Sequence, residues 1–201
     1  MKVVGIVAEY NPFHNGHAYH IEQARQLTHA DYIIVIMSGN YVQRGTPAII
    51  DKYSRTRMAL QNGADAVFEL PVCYATGSAE YFAEGAIALL TALGADCICF
   101  GSECGDVNLL KKAANILISD QFSERLKEYL KQGITFAAAR EKAAKDCGFS
   151  EDILNQANNN LAIEYIIAAL KLNKTFDFKT VTRKGASHDS KEIGEFVSAS
   201  L

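Results

Sequence analysis

The residue types best suited to chemistry lie in one short segment, Glu9-Tyr10-Asn11-Pro12-Phe13-His14-Asn15-Gly16-His17. His14 and His17 straddle Gly16 where a strand-like run gives way to helical spacing. A glycine there lets the backbone come close to a ligand. The start of a helix offers N–H groups without intrahelical partners and the positive end of its dipole. Two imidazoles add hydrogen-bond donors near neutral pH. These parts together suit an anion, with a triphosphate as the natural candidate. The GxxxxGK[ST] string of a P-loop does not occur, so the phosphates would be held by other means. A metal reading would group His14 and His17 with His20, but no carboxylate or cysteine stands at ligand spacing and a metal has no need of the glycine. A purely structural histidine pair is the remaining alternative. His20 and His29, a helical turn or more further on, read as structural or solvated.

Such a segment needs a rigid frame. Val3 to Ala8 and Tyr32 to Met37 are short, continuous apolar runs rich in β-branched residues, the texture of strands buried on both faces of a parallel sheet. Ala66 to Leu70 and Cys97 to Phe100 read as two more strands. Helical patterns alternate with them. Ala18, Ile21, Ala24 and Leu27 recur every three residues, Ser54 to Asn62 is stopped by Gly63, and Ser78 to Leu93 is stopped by Gly94. This alternation predicts an α/β domain around a parallel sheet. Its ligand site should lie beyond the carboxyl ends of the strands, where the loops Glu9 to His17, Ser38 to Gly45 and Gly101 to Gly105 fall. From Val107 to Lys171 the texture is helical, over 107–119, 122–132, 136–147 and 160–171, with no Pro/Gly-rich linker. These helices are expected to pack on the same domain, giving one unit over 1–201. Phe176 to Thr182 alternates weakly as one further strand, and beyond Arg183 the sequence turns polar.

Composition sets outer limits. A chain of 201 residues has the size of one large domain. Its net charge of −3 excludes a protein coated in basic charge for nucleic acid. A local basic patch runs through Gln43-Arg44-Gly45 and Lys52-Tyr53-Ser54-Arg55-Thr56-Arg57, with Lys52 and Arg55 placed near one helix face by their spacing. It reads equally as a solvated helix start or a phosphate contact. Lys111, Lys112, Lys127 and Lys131 read as solvated helix charges. The five cysteines, an odd number, and the lack of a secretory signal point to free thiols in a reducing, cytoplasmic setting. Cys97-x-Cys99 sits in an apolar run and reads as core. No apolar stretch is long enough to predict a transmembrane helix.

His14-Asn15-Gly16-His17 resembles the HxGH signature of the nucleotidyltransferase superfamily, whose fold is a Rossmann-like α/β domain. The longer string GIVAEYNPFHNGHAYHI is similar to the tRNA(Met) cytidine acetate ligase family. MSGNYVQRGTPAIIDKYSRTRMAL, GADAVFELP, FGSE and NNNLAIEYIIAAL agree in the same order, so the resemblance covers nearly the whole chain. It implies an enzyme that activates acetate with ATP as acetyl-adenylate, releasing pyrophosphate. The acetyl group then passes to the exocyclic N4 amine of the wobble cytidine in elongator tRNA(Met). The resemblance makes Val7, Ala8, Glu9, Tyr10, Asn11, Pro12, Phe13, His14, Asn15, Gly16, His17, Ala18, Tyr19 and His20 the main ATP loop. Gly101, Asn158 or Asn159, Arg183 and Lys184 complete the ATP site on the same basis. His14 and His17 would carry catalysis, and Arg183 and Lys184 would neutralise the leaving pyrophosphate, with Mg²⁺ as the expected metal. Glu9 and Glu103, at strand ends, are the carboxylates available as a base or as loop partners. Alternatives are another HxGH adenylyl- or cytidylyltransferase acting on a phosphorylated small molecule, or a nucleotide- or RNA-binding module without turnover.

The chain departs from the family pattern in two places. Ala157 stands where relatives carry proline, and Ser198-Ala199-Ser200-Leu201 falls where a terminal S-x-[ST]-x-I-R motif would begin. The expectation is therefore a truncated or short member. Part of the tRNA-binding surface is expected beyond Leu201 or on a partner subunit.

Overall fold

The structure, a computed structural model, describes residues 1–183, so Lys184 lies outside the described residues. Five strands, β1 (Val3–Ala8), β2 (Tyr32–Ser38), β3 (Ala66–Leu70), β4 (Cys97–Ser102) and β5 (Asp177–Thr182), form one parallel sheet in the order β3-β2-β1-β4-β5. The order reverses between β1 and β4. In open α/β sheets the crevice beyond the carboxyl ends at such a reversal is where ligands bind. The Rossmann-like α/β frame expected from the sequence is therefore present.

The helices are α1 (Asn15–Thr28), α2 (Lys52–Gln61), α3 (Val72–Ala75), α4 (Ala79–Ala92), α5 (Val107–Leu117), α6 (Asp120–Lys131), α7 (Phe136–Asp146) and α8 (Ala157–Lys171). Period-two alternation along β1 assigns the faces. Val4 and Ile6 enter a core shared with Ile21 and Ala24 of α1 and Ala59 of α2. Val3 enters the opposite core with Ile87 and Leu90 of α4, Leu110 of α5 and Ile163 of α8. Burial of each such aliphatic side chain contributes about 1.5–3 kcal/mol. The two-sided coverage is why β1, β2 and β4 read as unbroken apolar runs. Gly5 lies against α4 so closely that a Cβ there would stand 2.5 Å from Leu90 Cδ2, so any larger residue would force the Leu90 side chain to shift. The helices α5 to α8 belong to the same core as the sheet, through Leu110, Phe122, Ala143 and Ile163.

Some expectations need correction. Leu27 is half exposed, because the buried stripe of α1 runs Ile21, Ala24, Thr28. Thr28 is tolerated there because its hydroxyl donates to the Ala24 carbonyl at 2.6 Å. β3 forms as expected and lies at an edge of the sheet, with Phe68 and Glu69 exposed. α2 starts two residues before Ser54, because the Asp51 carboxylate accepts from the N–H groups of Tyr53 and Ser54. α8 starts at Ala157 rather than 160. The single turn of α3 is too short to carry a periodicity. Cys97 and Cys99 are fully buried core residues, as their apolar run predicts, and burial raises both thiols, to about 11 and about 12. Among the described residues no helix is long and apolar enough to cross a membrane.

Candidate functional site

The chain leaves β1 at Ala8 and enters α1 at Asn15, with His14 as the N-cap in extended conformation. Its imidazole does what Ser or Asp does at other helix starts. His14 Nδ1 accepts from Gly16 N at 3.1 Å, and His17 Nδ1 accepts from His14 N at 3.3 Å. The two histidines thus form a reciprocal cap. Their rings stack with centroids 3.7 Å apart and planes 24° from parallel. Both Nδ1 atoms act as acceptors, so each neutral ring carries its proton on Nε2. Gly16 fits this packing closely, since a Cβ would stand 3.0 Å from His14 Cε1 and 3.1 Å from Nδ1 and would press the ring by a few tenths of an ångström.

Tyr10 and Phe13 hold the pair from behind. Tyr10 is 1% exposed at a φ of 50°, and its ring lies edge-on to His17 at 4.8 Å and to Phe13 at 4.9 Å. Glu9 and Asn11 tie this loop to the next one. Glu9 Oε1 accepts from Gln43 N at 2.7 Å, and Asn11 Oδ1 accepts from Ile49 N at 2.7 Å. Val7 and Ala8 end β1, and Ala18 and Tyr19 continue α1. Pro12 follows a cis peptide bond.

Burial and mutual repulsion keep the imidazoles neutral. His17 is pushed down to about 2, by burial first and then by His14, His20 and Arg183. His20, whose Nε2 lies 3.8 Å from Cys99 Sγ, is pushed down to about 4 by burial and then Arg183. His14 is lowered by burial and by Arg183. One sequence expectation changes here. Two first-turn amides of α1 are already engaged: Gly16 N on His14 Nδ1, and His17 N on His14 O at 2.9 Å. The donors offered to an anion are thus the imidazole Nε2–H groups and Arg183, more than the backbone of the helix. An incoming anion would favour protonation of these same rings.

Across the crevice, β4 and β5 run in register to Ser102 and Thr182, and Arg183 N donates to Ser102 O at 3.0 Å. The Arg183 side chain crosses Gly101, where a Cβ would make ordinary contact at 3.5 Å, and Nη1 donates to Asn158 Oδ1 at 3.1 Å. Asn158 is set in turn by Glu103, whose Oε1 accepts from Asn158 N at 3.1 Å and Nδ2 at 2.7 Å. Glu103 Oε2 accepts from Asn159 N at 2.8 Å. Asn159 is fully buried, and its Oδ1 accepts from the N–H groups of Glu103 and Cys104 at 3.0 and 3.2 Å. Of the two asparagines, Asn158 therefore touches the arginine, while the Asn159 side chain locks the β4 loop to α8. Glu103 is the cap that the α8 N-terminus otherwise lacks, because Gln156 makes no side-chain cap bond. Its position beside a strand end was visible in sequence, but its partners, more than fifty residues away, were not.

The basic patch does not form as the spacing suggested. Arg55 is fully buried and points into the fold, because its guanidinium satisfies backbone carbonyls. Lys52 pairs with Glu69 at 2.6 Å, whereas Arg44 and Arg57 are exposed. The structure thus brings His14, His17, His20, Gly101, Asn158 and Arg183 to one end of the sheet, at the β1/β4 reversal.

Proteins of similar sequence share this fold. A tRNA(Met) cytidine acetate ligase of Thermoanaerobacter sp. (strain X514) is 53% identical over 207 residues, covering 100% of this chain and 52% of the relative. The crystal structure of apo Thermotoga maritima TmcAL superimposes with a TM-score of 0.93 at 44% identity, covering 100% of this chain and 50% of that one. A second crystal structure, Thermotoga maritima TmcAL bound with alpha-thio ATP, matches at a TM-score of 0.87 and 45% identity, covering 92% of this chain and 47% of that one. The chain spans about half the length of the curated relatives it matches. The family model described as HIGH Nucleotidyl Transferase matches residues 1–201, and the chain belongs to that family.

Proposed function

We propose that this chain binds ATP in the β1/β4 crevice and activates acetate there, as part of a tRNA(Met) cytidine acetate ligase. The observation that carries the reading is the stacked His14–His17 pair at the reversal of strand order, with Arg183 close enough to lower both imidazoles. The ligase named among the relatives and the nucleotide-bound Thermotoga maritima structure support the substrate assignment.

An acetate oxygen attacks the α-phosphorus of ATP, the bond to the bridging oxygen breaks, and pyrophosphate leaves. Acetate is already ionised at neutral pH, so this step needs no general base. The protein supplies position and charge stabilisation. The Nε2–H groups of His14 and His17 donate to phosphate oxygens as charge builds on them. Arg183, oriented by Asn158, neutralises the leaving pyrophosphate, and Lys184 is assigned to it on sequence alone. The N4 amine of the wobble cytidine of elongator tRNA(Met) then attacks the carbonyl carbon of acetyl-adenylate, AMP leaves, and the proton lost by the amine passes to solvent.

The donor set among the described residues does not form a protein site for Mg²⁺. It is imidazole and guanidinium, while Glu103 and Oε1 of Glu9 accept from N–H groups of the chain. Mg²⁺ would arrive as the counter-ion of the ATP phosphates, a setting in which it keeps several waters.

The test is ATP–pyrophosphate exchange on the 201-residue chain with and without acetate. Acetate-dependent exchange is expected. Exchange driven by a different acceptor would refute the acetate assignment, as would ATP binding without exchange that persists in a chain of the relatives' full length.

A further inference from the structure

We propose that Arg55 is a positioning residue for the nucleotide loop: its buried guanidinium clamps the carboxyl ends of β1 and β2 to the start of α2 and so sets where His14 and His17 stand. The proposal rests on the ATP reading above for its functional consequence, though not for its geometry.

Arg55 Nε donates to Ile50 O at 2.9 Å. Nη1 donates to Glu9 O at 2.6 Å and Ser38 O at 2.9 Å, and Nη2 donates to Gly39 O. Four carbonyls from three separate segments thus converge on one planar group that is 0% exposed. The β1–β2 ladder ends at the pair Ala8↔Met37, so the carbonyls of Glu9, Ser38 and Gly39 lie just past the last rung. The guanidinium takes over where the ladder stops.

A stability role alone explains this poorly. Among the described residues no carboxylate forms a direct ion pair with Arg55; Glu9, Asp51 and Glu69 favour its charge only through space, its direct acceptors are neutral carbonyls, and burial is still the largest influence on it, a desolvation penalty that an apolar side chain of similar volume would avoid. What a guanidinium adds is a rigid fork that dictates where its acceptors lie. The Glu9 carbonyl immediately precedes Tyr10, whose positive φ turns the chain and whose ring packs on His17. His17 stacks in turn on His14. A displacement at Glu9 therefore passes through these contacts to both imidazoles.

The test compares wild type with Arg55→Lys in the 201-residue chain. Lysine keeps the charge and loses the fork. Near-UV circular dichroism establishes that the variant folds. Imidazole NMR resonances of His14 and His17 then report the loop, with His29 at the far end of α1 as the internal control. Shifts at His14 and His17 but not His29, at least tenfold weaker ATP binding and roughly 100-fold slower exchange turnover are expected, the scale of a 1 Å misplacement. A folded variant with unchanged His14 and His17 resonances and ATP affinity within twofold would overturn the proposal. If wild type itself fails to bind ATP, the functional reading falls, and the resonances still decide the clamp by the same criterion. If Arg55→Lys does not fold, wild type answers. Exchange of the Arg55 guanidinium protons should slow when ATP binds, and exchange indifferent to ATP would overturn the coupling.

Discussion

Removing the Glu103 carboxylate should loosen α8 and weaken nucleotide binding together. Glu103 accepts three hydrogen bonds at 2.7–3.1 Å, from Asn158 N, Asn158 Nδ2 and Asn159 N, at a helix start whose own N-cap side chain makes none. A hydrogen bond to a charged group contributes about 1.5–3 kcal/mol, and loss of a helix cap costs about 0.5–2 kcal/mol. These terms overlap, and water can re-solvate a half-buried site, so Glu103→Ala should lose about 2–4 kcal/mol in all. For a chain of this size that lowers Tm by roughly 5–15 °C. Glu103→Gln keeps one acceptor for Asn158 but turns an NH₂ toward the Asn159 N–H, so about half that loss is expected. Asn158 then no longer holds Arg183, and ATP affinity should fall about tenfold, equivalent to 1.4 kcal/mol. Urea unfolding and calorimetric ATP titration of both variants read the two effects. If Glu103 were instead a free general base, stability and ATP affinity would stay put and only acetyl transfer would fail. Unfolding free energy within about 0.5 kcal/mol of wild type, the range of neutral surface changes, with unchanged ATP affinity, would refute the capping argument.

Gly16→Ala should separate helix stability from binding. The substitution favours the helix by about 0.5–1 kcal/mol, but its Cβ meets the His14 ring at 3.0 Å, so unfolding should change little while ATP affinity drops. Asn159→Ala should cost about 2–4 kcal/mol by orphaning the N–H groups of Glu103 and Cys104, whereas Asn158→Ala, which loses one bond to the Glu103 carboxylate at a half-buried site, should cost about 1–2 kcal/mol and weaken ATP binding more than Asn159→Ala does; the same ratio of stability loss to affinity loss in both variants would contradict the division of roles. Stability should fall as pH drops. His17 and His20 are held down to about 2 and about 4, so below about 6.5 the unfolded chain binds protons that the folded one refuses. The slope should reach about 2.7 kcal/mol per pH unit between roughly pH 6 and pH 4, and unfolding free energies independent of pH there would show that these imidazoles are not held neutral.

Much of this was legible along the chain because it depends on local physics. Continuous apolar runs identify doubly covered strands, glycines end α2 and α4, and Gly16 between two histidines marks a close approach at a helix start. Element boundaries came within a few residues, and the three strand-end loops do gather at one end of the sheet. Patterns failed where a neighbour distant in sequence decided the outcome. Leu27 matches a three-residue period but lies off the buried stripe of α1. Glu103 and Asn159 are polar loop residues until the crossover from β4 returns α8 onto them. Arg55 looks like any surface cation on a short helix.

The sequence by itself determined the parallel α/β frame and the imidazole pair at its first turn, because both follow from periodicity and from the steric demands of one glycine. The tertiary structure alone decided which charged groups are buried. It turned Arg55 into a clamp, Glu103 into a helix cap, and the histidines into neutral donors. Those outcomes depend on which backbone carbonyls and N–H groups are left without partners when the strands and helices meet, and no local spacing encodes that.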